Sequence, residues 1–119
     1  MRRCVRLRSL VNVSARQERI NGWDQRALAG ATVLMAGAGG LGSAIGEGLV
    51  QKGVGVLHLS DHDIVTPTNL NRQAFDRKSL YHNKAQELAR ILSGRGFLGT
   101  LIVAHPCSIQ EVSLETSDA

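Results

Sequence analysis

The run Val33-Leu34-Met35-Ala36-Gly37-Ala38-Gly39-Gly40-Leu41-Gly42-Ser43 constrains this chain more than any other segment. A short apolar stretch ends in clustered glycines, and a helical pattern begins at once. That order predicts a strand, a tight turn and a helix N-terminus, an arrangement suited to holding a phosphate. Gly37 suits the turn, Gly39 lets the backbone approach an anion, and Gly42 lets helix and strand pack closely. The first amides of such a helix have no carbonyl one turn back, and the helix dipole favours negative charge there. A glycine triad alone is a weak signal, so the flanks decide.

Downstream, Leu41, Ala44, Ile45, Leu49 and Val50 recur at helical spacing, and Gly53 stands where a helix over Leu41 to Lys52 would stop. Val54 to Leu59 reads as a second buried strand, followed by Ser60 and Asp61. An acidic residue about 20 positions past the glycines, at the end of a second strand, is where ribose hydroxyls are held. The flanks therefore predict a nucleotide-binding βαβ unit.

Composition agrees with buried parallel strands. Of the 119 residues, 43% are hydrophobic but only 3% are aromatic, so the core is aliphatic. No apolar run approaches the roughly 18 residues that span a bilayer, and the basic start lacks the apolar stretch of a secretory signal, which makes the cytoplasm the expected location. The formal charge of +4 is concentrated in Arg2, Arg3, Arg6 and Arg8. These form a terminal basic arm over residues 1–14 and not a stripe across a folded face, which argues against nucleic acid as a partner. Cys4 and Cys107 are isolated and belong to no Cys-x-x-Cys pair, and the four histidines show no metal-binding spacing. No metal ligands are assigned, and His58, within a strand, is expected to be a core histidine.

Elsewhere, Ala15 to Leu28 is expected to form an amphipathic helix interrupted by Gly22, and Ala31 to Ala36 the first strand. Asp63 to Asn69 is a loop, because Pro67 steers Thr66 away from helix. Asn83 caps a helix over Lys84 to Leu92, with Ala85, Leu88, Ala89 and Leu92 on one face, and Thr100 to Ala104 is a third strand. The expected architecture is α/β: a Rossmann-like doubly wound parallel sheet, truncated after about three strands. Unpaired sheet edges then predict self-association.

A second cluster carries chemistry. Asp61-His62-Asp63-Ile64-Val65, Asn69-Leu70-Asn71-Arg72-Gln73 and Lys84 gather carboxylates, amides and cations past the carboxyl end of the second strand, where open α/β sheets bind ligands. Cations around an anionic chain suit a triphosphate whose charge builds during attack at phosphorus. A nicotinamide-dependent oxidoreductase fragment built on the same glycine loop is the alternative enzyme class, and a non-catalytic nucleotide-binding or dimerising remnant the alternative without chemistry.

In order and spacing, these motifs resemble the ThiF/MoeB/HesA adenylating enzymes, bacterial relatives of the ubiquitin-activating enzymes. Gly53-Val54-Gly55 and the arginine-bearing Arg16-Gln17-Glu18-Arg19-Ile20-Asn21-Gly22-Trp23-Asp24-Gln25 extend the similarity to about residues 15–105. The resemblance implies that residues 15–119 are the N-terminal half of an ATP-binding adenylation domain. It implies use of ATP and Mg2+ to adenylate the C-terminal glycine of a small ubiquitin-like or sulfur-carrier protein. Nucleotide contacts would then come from Gly37, Gly39, Gly40, Gly42, Asp61, Asp63 and Asn69. Arg72 and Lys84 would bind and stabilise the phosphates, and Arg16, with Arg19 as runner-up, would reach the ATP of a partner in a homodimer. The magnesium-binding aspartate that the resemblance places after a fourth strand has no counterpart here, since Asp118 lacks an apolar run before it. This chain alone is therefore expected to bind nucleotide weakly and to catalyse poorly. Which carrier protein is served, and whether sulfur transfer or thioester conjugation follows, is not encoded in these motifs.

Overall fold

A computed structural model describes residues 13–70 and 73–112. Three parallel strands, β1 (Thr32–Ala36), β2 (Val56–Ser60) and β3 (Leu101–His105), form one sheet in the order β1-β2-β3. Two short helices, α1 (Ala15–Glu18) and α2 (Gln25–Ala29), precede the sheet. Helix α3 (Gly40–Lys52) joins β1 to β2, and α4 (Lys84–Ser93) lies between β2 and β3. Single 3-10 turns occur at Pro67–Asn69, Arg77–Ser79 and Ile109–Glu111.

Register divides the sheet into two unlike faces. Val33 pairs with Leu57, Met35 with Leu59, Leu57 with Ile102 and Leu59 with Ala104. These alternate residues point to one side, where they meet Val50, Val54, Ala85, Leu88 and Leu92 in the core. Both α3 and α4 cover that face, since the Cα of Gly46 in α3 looks onto Leu92 of α4 as well as Met35 and Leu57. The opposite face carries Leu34, His58 and Val103 in one row and Ala36, Ser60 and His105 in the next.

Helix α4 matches its sequence pattern. Ala85, Leu88 and Leu92 are buried, and the Asn83 side chain accepts the Gln86 N–H at 3.0 Å as the N-cap. Arg90 ties the Arg77–Ser79 turn to this helix, reaching Glu87 at 3.2 Å, Asp76 at 3.5 Å and the Ser79 hydroxyl at 3.4 Å.

Three expectations are corrected. The helix expected over Ala15 to Leu28 is two helices, because the chain turns through Gly22 at φ 84° and the Asp24 carboxylate then caps a new start at Ala27 N–H. The buried stripe of α3 is Ser43, Gly46 and Val50, whereas Leu41 and Ile45 are exposed. Small residues form the contact face because the helix lies too close to the sheet for larger ones. Strand β2 begins at Val56, since the amides of Val54 and Gly55 are taken by the carbonyls of Leu49 and Leu28. Neither the basic arm up to residue 12 nor Cys4 and Asp118 falls within the described residues.

Candidate functional site

Two hydrogen bonds tie the glycine loop to the end of β2, and a third braces the carboxylate that receives one of them. The Gly37 N–H donates to the Ser60 carbonyl at 2.7 Å, and the Ala38 N–H donates to Asp61 Oδ2 at 2.9 Å. Asp61 Oδ1 accepts the Asp63 N–H at 2.8 Å. One carboxylate thus joins the loop after β1 to the loop after β2. Gly37 takes φ 97°, and a Cβ at Gly42 would stand 2.5 Å from the Gly37 carbonyl oxygen, so both positions need glycine. The first-turn amides of α3, at Gly40, Leu41 and Gly42, lack intrahelical acceptors and are offered to an anion.

The head of α4 is brought to the same place. Asn83 Nδ2 donates to the carbonyls of Asp61 at 2.8 Å and Asp63 at 3.3 Å, and the Lys84 N–H donates to the Asp63 carbonyl at 2.9 Å. Lys84 therefore leaves the first turn of α4 one hydrogen bond from the loop that carries Asp61 and Asp63. A cleft of 240 Å³ opens beside the loop, lined by Ala36, Gly37, Ser60, Asp61, Ser108 and Ile109, with His62 at its rim.

Other proposed residues are placed less simply. Asn69 is buried, and its Oδ1 accepts from the Thr66 N–H at 3.0 Å and the Thr66 hydroxyl at 3.1 Å, so this residue shapes the Pro67–Asn69 turn. The Asp63 carboxylate is exposed beside His62 Nε2 at 3.3 Å. Arg72 lies outside the described residues. Arg16 is exposed on α1 and is not brought to this site within the chain. The neighbouring Gln17, which also meets Gln25, donates to the Lys52 carbonyl at 3.0 Å, at the far end of α3. Thirteen helical residues put that end about 20 Å from the loop.

Sequence reasoning passed over two side chains. The Gln73 amide lies 3.8 Å from the position a Gly39 Cβ would take, and its Oε1 is buried without a hydrogen-bond partner. Ser43 Oγ, in the first turn of α3, is likewise buried and unpartnered. Gln73 closed the quoted Asn69-to-Gln73 motif, so position marked it; nothing in composition singled out Ser43. Buried polar atoms without partners cost stability, and two beside one glycine loop are what a ligand site retains.

The ThiF family pattern matches residues 7–97. The chain belongs to the ThiF family. Among similar proteins, the NEDD8-activating enzyme E1 catalytic subunit of Caenorhabditis elegans is 32% identical over 89 residues, covering 75% of this chain and 21% of that protein. The adenylyltransferase and sulfurtransferase MOCS3 of Mus musculus is 45% identical over 62 residues, 52% of this chain and 12% of that one. Among solved structures, Escherichia coli MccB bound to succinimide superposes with a TM-score of 0.67 at 30% identity, covering 73% of this chain and 26% of MccB. The ATP complex of MccB gives a TM-score of 0.66 at 27% identity over 80% of this chain. This ThiF-family chain thus spans about a fifth of the first enzyme's length and about a quarter of MccB. No helix among its described residues is long and apolar enough to cross a membrane.

Proposed function

We propose that the complete protein uses ATP to adenylate the C-terminal glycine of a small ubiquitin-like or sulfur-carrier protein, and that residues 15–119 supply the N-terminal half of the adenylation domain. The observation that carries this reading is the Asp61 carboxylate tie to the glycine loop, with Lys84 delivered beside it by the Asp63 carbonyl. In this reaction a carboxylate oxygen bonds to the α-phosphorus. The bond to the β-phosphate breaks, and pyrophosphate leaves with the electron pair. The α3 amides around Gly39 and Gly40 hold phosphate oxygens, and Gly37 and Gly42 keep the backbone close enough to do so. Asp61 uses its remaining lone pairs for ribose hydroxyls, and Asp63 orients the head of α4. Lys84 and Arg72 balance charge that grows on the phosphates, with Asn69 fixing the loop that leads to Arg72. Arg16, at the opposite end of α3, serves a partner's site in a homodimer.

Magnesium would neutralise the departing pyrophosphate. Asp61, His62 and Asp63 place ligand atoms within 4.8 Å of one another. His62 and Asp63 are exposed and pair with each other, and an imidazole does not suit magnesium, so these residues do not fit a resident magnesium site.

Calorimetry with ATP and with NADH distinguishes the adenylating reading from the oxidoreductase. The chain is expected to bind ATP, and tighter binding of NADH would replace this proposal with hydride transfer. Association provides a second check. In the described sheet β1 and β3 each have one neighbour, leaving an outer edge on both sides. Sedimentation at micromolar concentration is expected to show self-association, strengthened by ATP if Arg16 completes a neighbour's site. A clean monomer with and without ATP would remove the dimer from the proposal.

A further inference from the structure

His58 and His105 take no part in the proposed chemistry, yet their rings meet across β2 and β3. His58 lies on the middle strand, on the face turned away from α3 and α4, and is completely buried. His105, half-buried, closes β3 on the same face. His58 Nδ1 is 3.0 Å from His105 Nε2, and the rings stack with centroids 5.2 Å apart at 28°. The other His58 nitrogen, Nε2, is buried with no hydrogen-bond partner.

These contacts fix the proton. A neutral imidazole has one N–H and one lone pair. Were Nδ1 of His58 the acceptor, its Nε2 would be a buried N–H with nothing to receive it, a costlier orphan than a bare lone pair. His58 therefore donates from Nδ1, and His105 accepts at Nε2. An added proton has two destinations in the pair: the enclosed Nε2 of His58, or the His105 nitrogen already accepting a bond.

Among the described residues of this face, no carboxylate offsets such a charge. On the shared face β1 contributes Thr32, Leu34 and Ala36, β2 adds Val56 and Ser60, and β3 adds Leu101 and Val103, none of which titrates at neutral pH. Past β3, Cys107 gives its carbonyl to the Ser60 hydroxyl at 2.8 Å, and Glu111 is exposed. Asp61 spends its carboxylate on Ala38 and Asp63. Burial first, and the His58 charge second, hold His105 below the ordinary imidazole range.

The pair is wired to the glycine loop. The His105 carbonyl accepts the Asp61 N–H at 3.2 Å, and Ser60, its register partner, accepts the Gly37 N–H through its carbonyl. We propose that His58 and His105 form a neutral latch that closes β2 against β3 beneath the glycine loop and opens on acidification, loosening the Asp61 tie.

The sign follows from linkage. With His105 depressed in the folded chain, the unfolded chain binds the extra proton first. Stability is full above the unfolded value, near 6.5, and falls as pH drops through it toward the folded value.

Ring nitrogen NMR on the full chain tests the latch independently of any nucleotide. Both rings are expected to be Nδ1–H tautomers, and the His105 ring to titrate below the ordinary imidazole range. The Ala38 amide resonance should shift as the His105 ring takes up its proton, and the unfolding temperature should fall as pH drops below about 6.5. His105→Gln should remove most of both changes. A His105 ring that titrates at the ordinary imidazole value, or a His105→Gln chain with undiminished pH dependence, would overturn the proposal. The ring titration needs no substitution, so it decides even if the variant does not fold.

Discussion

Lys84→Ala in the complete protein is expected to lower ATP–pyrophosphate exchange on the order of a hundredfold or more, the loss typical of one charge-stabilising contact in a shielded site. That corresponds to about 2.7 kcal/mol of transition-state stabilisation. Lys84 opens α4, and its backbone N–H is held by the Asp63 carbonyl whatever the side chain. Alanine is a strong helix former, so the circular dichroism spectrum and melting temperature should stay close to those of the parent. Loss of exchange with an intact fold would place the ammonium in the reaction. Near-parental exchange would show that the side chain is bystander to the phosphates. Arg72→Ala carries the same expectation, motivated by the family resemblance.

Leu57→Ala should have the largest effect on stability. Leu57 is fully buried at the centre of β2, between Val33 and Ile102 on the helix-covered face and within reach of α3. Truncating a core leucine costs about 2–5 kcal/mol, because the surrounding side chains close the cavity only in part. Domains of this kind are typically stable by about 5–15 kcal/mol, so the variant should unfold at clearly lower urea concentration. An unchanged midpoint with an unchanged m-value would mean that the helix-covered face is not the principal core.

The parts of the fold legible in the sequence are those where local rules act without a competing long-range demand. Asn83, with Ala85, Leu88 and Leu92 behind it, marks α4 because cap and apolar period agree. The glycine loop was legible because Gly37 and Gly42 answer steric demands that no other residue meets. Helix α3 misled for the same steric reason. Its apolar residues Leu41 and Ile45 point to solvent, while Ser43 and Gly46, which hydropathy does not mark, make the close contact. The split between α1 and α2 depended on whether Gly22 would be absorbed into a helix or turned out of it, and the Asp24 cap decided that.

Within the site, its spacing from the glycines marks Asp61 as a candidate for ribose, whereas its bonds to Ala38 and Asp63 are not legible, because a carboxylate's backbone partners have no sequence period. Asn69 likewise belongs to a turn as well as to the motif that named it. The His58–His105 contact depends on the register of β3 against β2, a non-local fact that no window of sequence contains.

The double attachment of Asp61 also bears on when the chain meets the entropic cost of recognition. Its carboxylate immobilises Ala38 and Asp63 during folding, before any ligand arrives, so little ordering of these loops is left for the encounter itself. If this is the nucleotide site proposed above, docking there would be near-rigid, and affinity would reflect the contacts formed more than the disorder surrendered. One carboxylate both shapes the loop and lines the cleft beside it, so replacing Asp61 would disturb the loop and the cleft together.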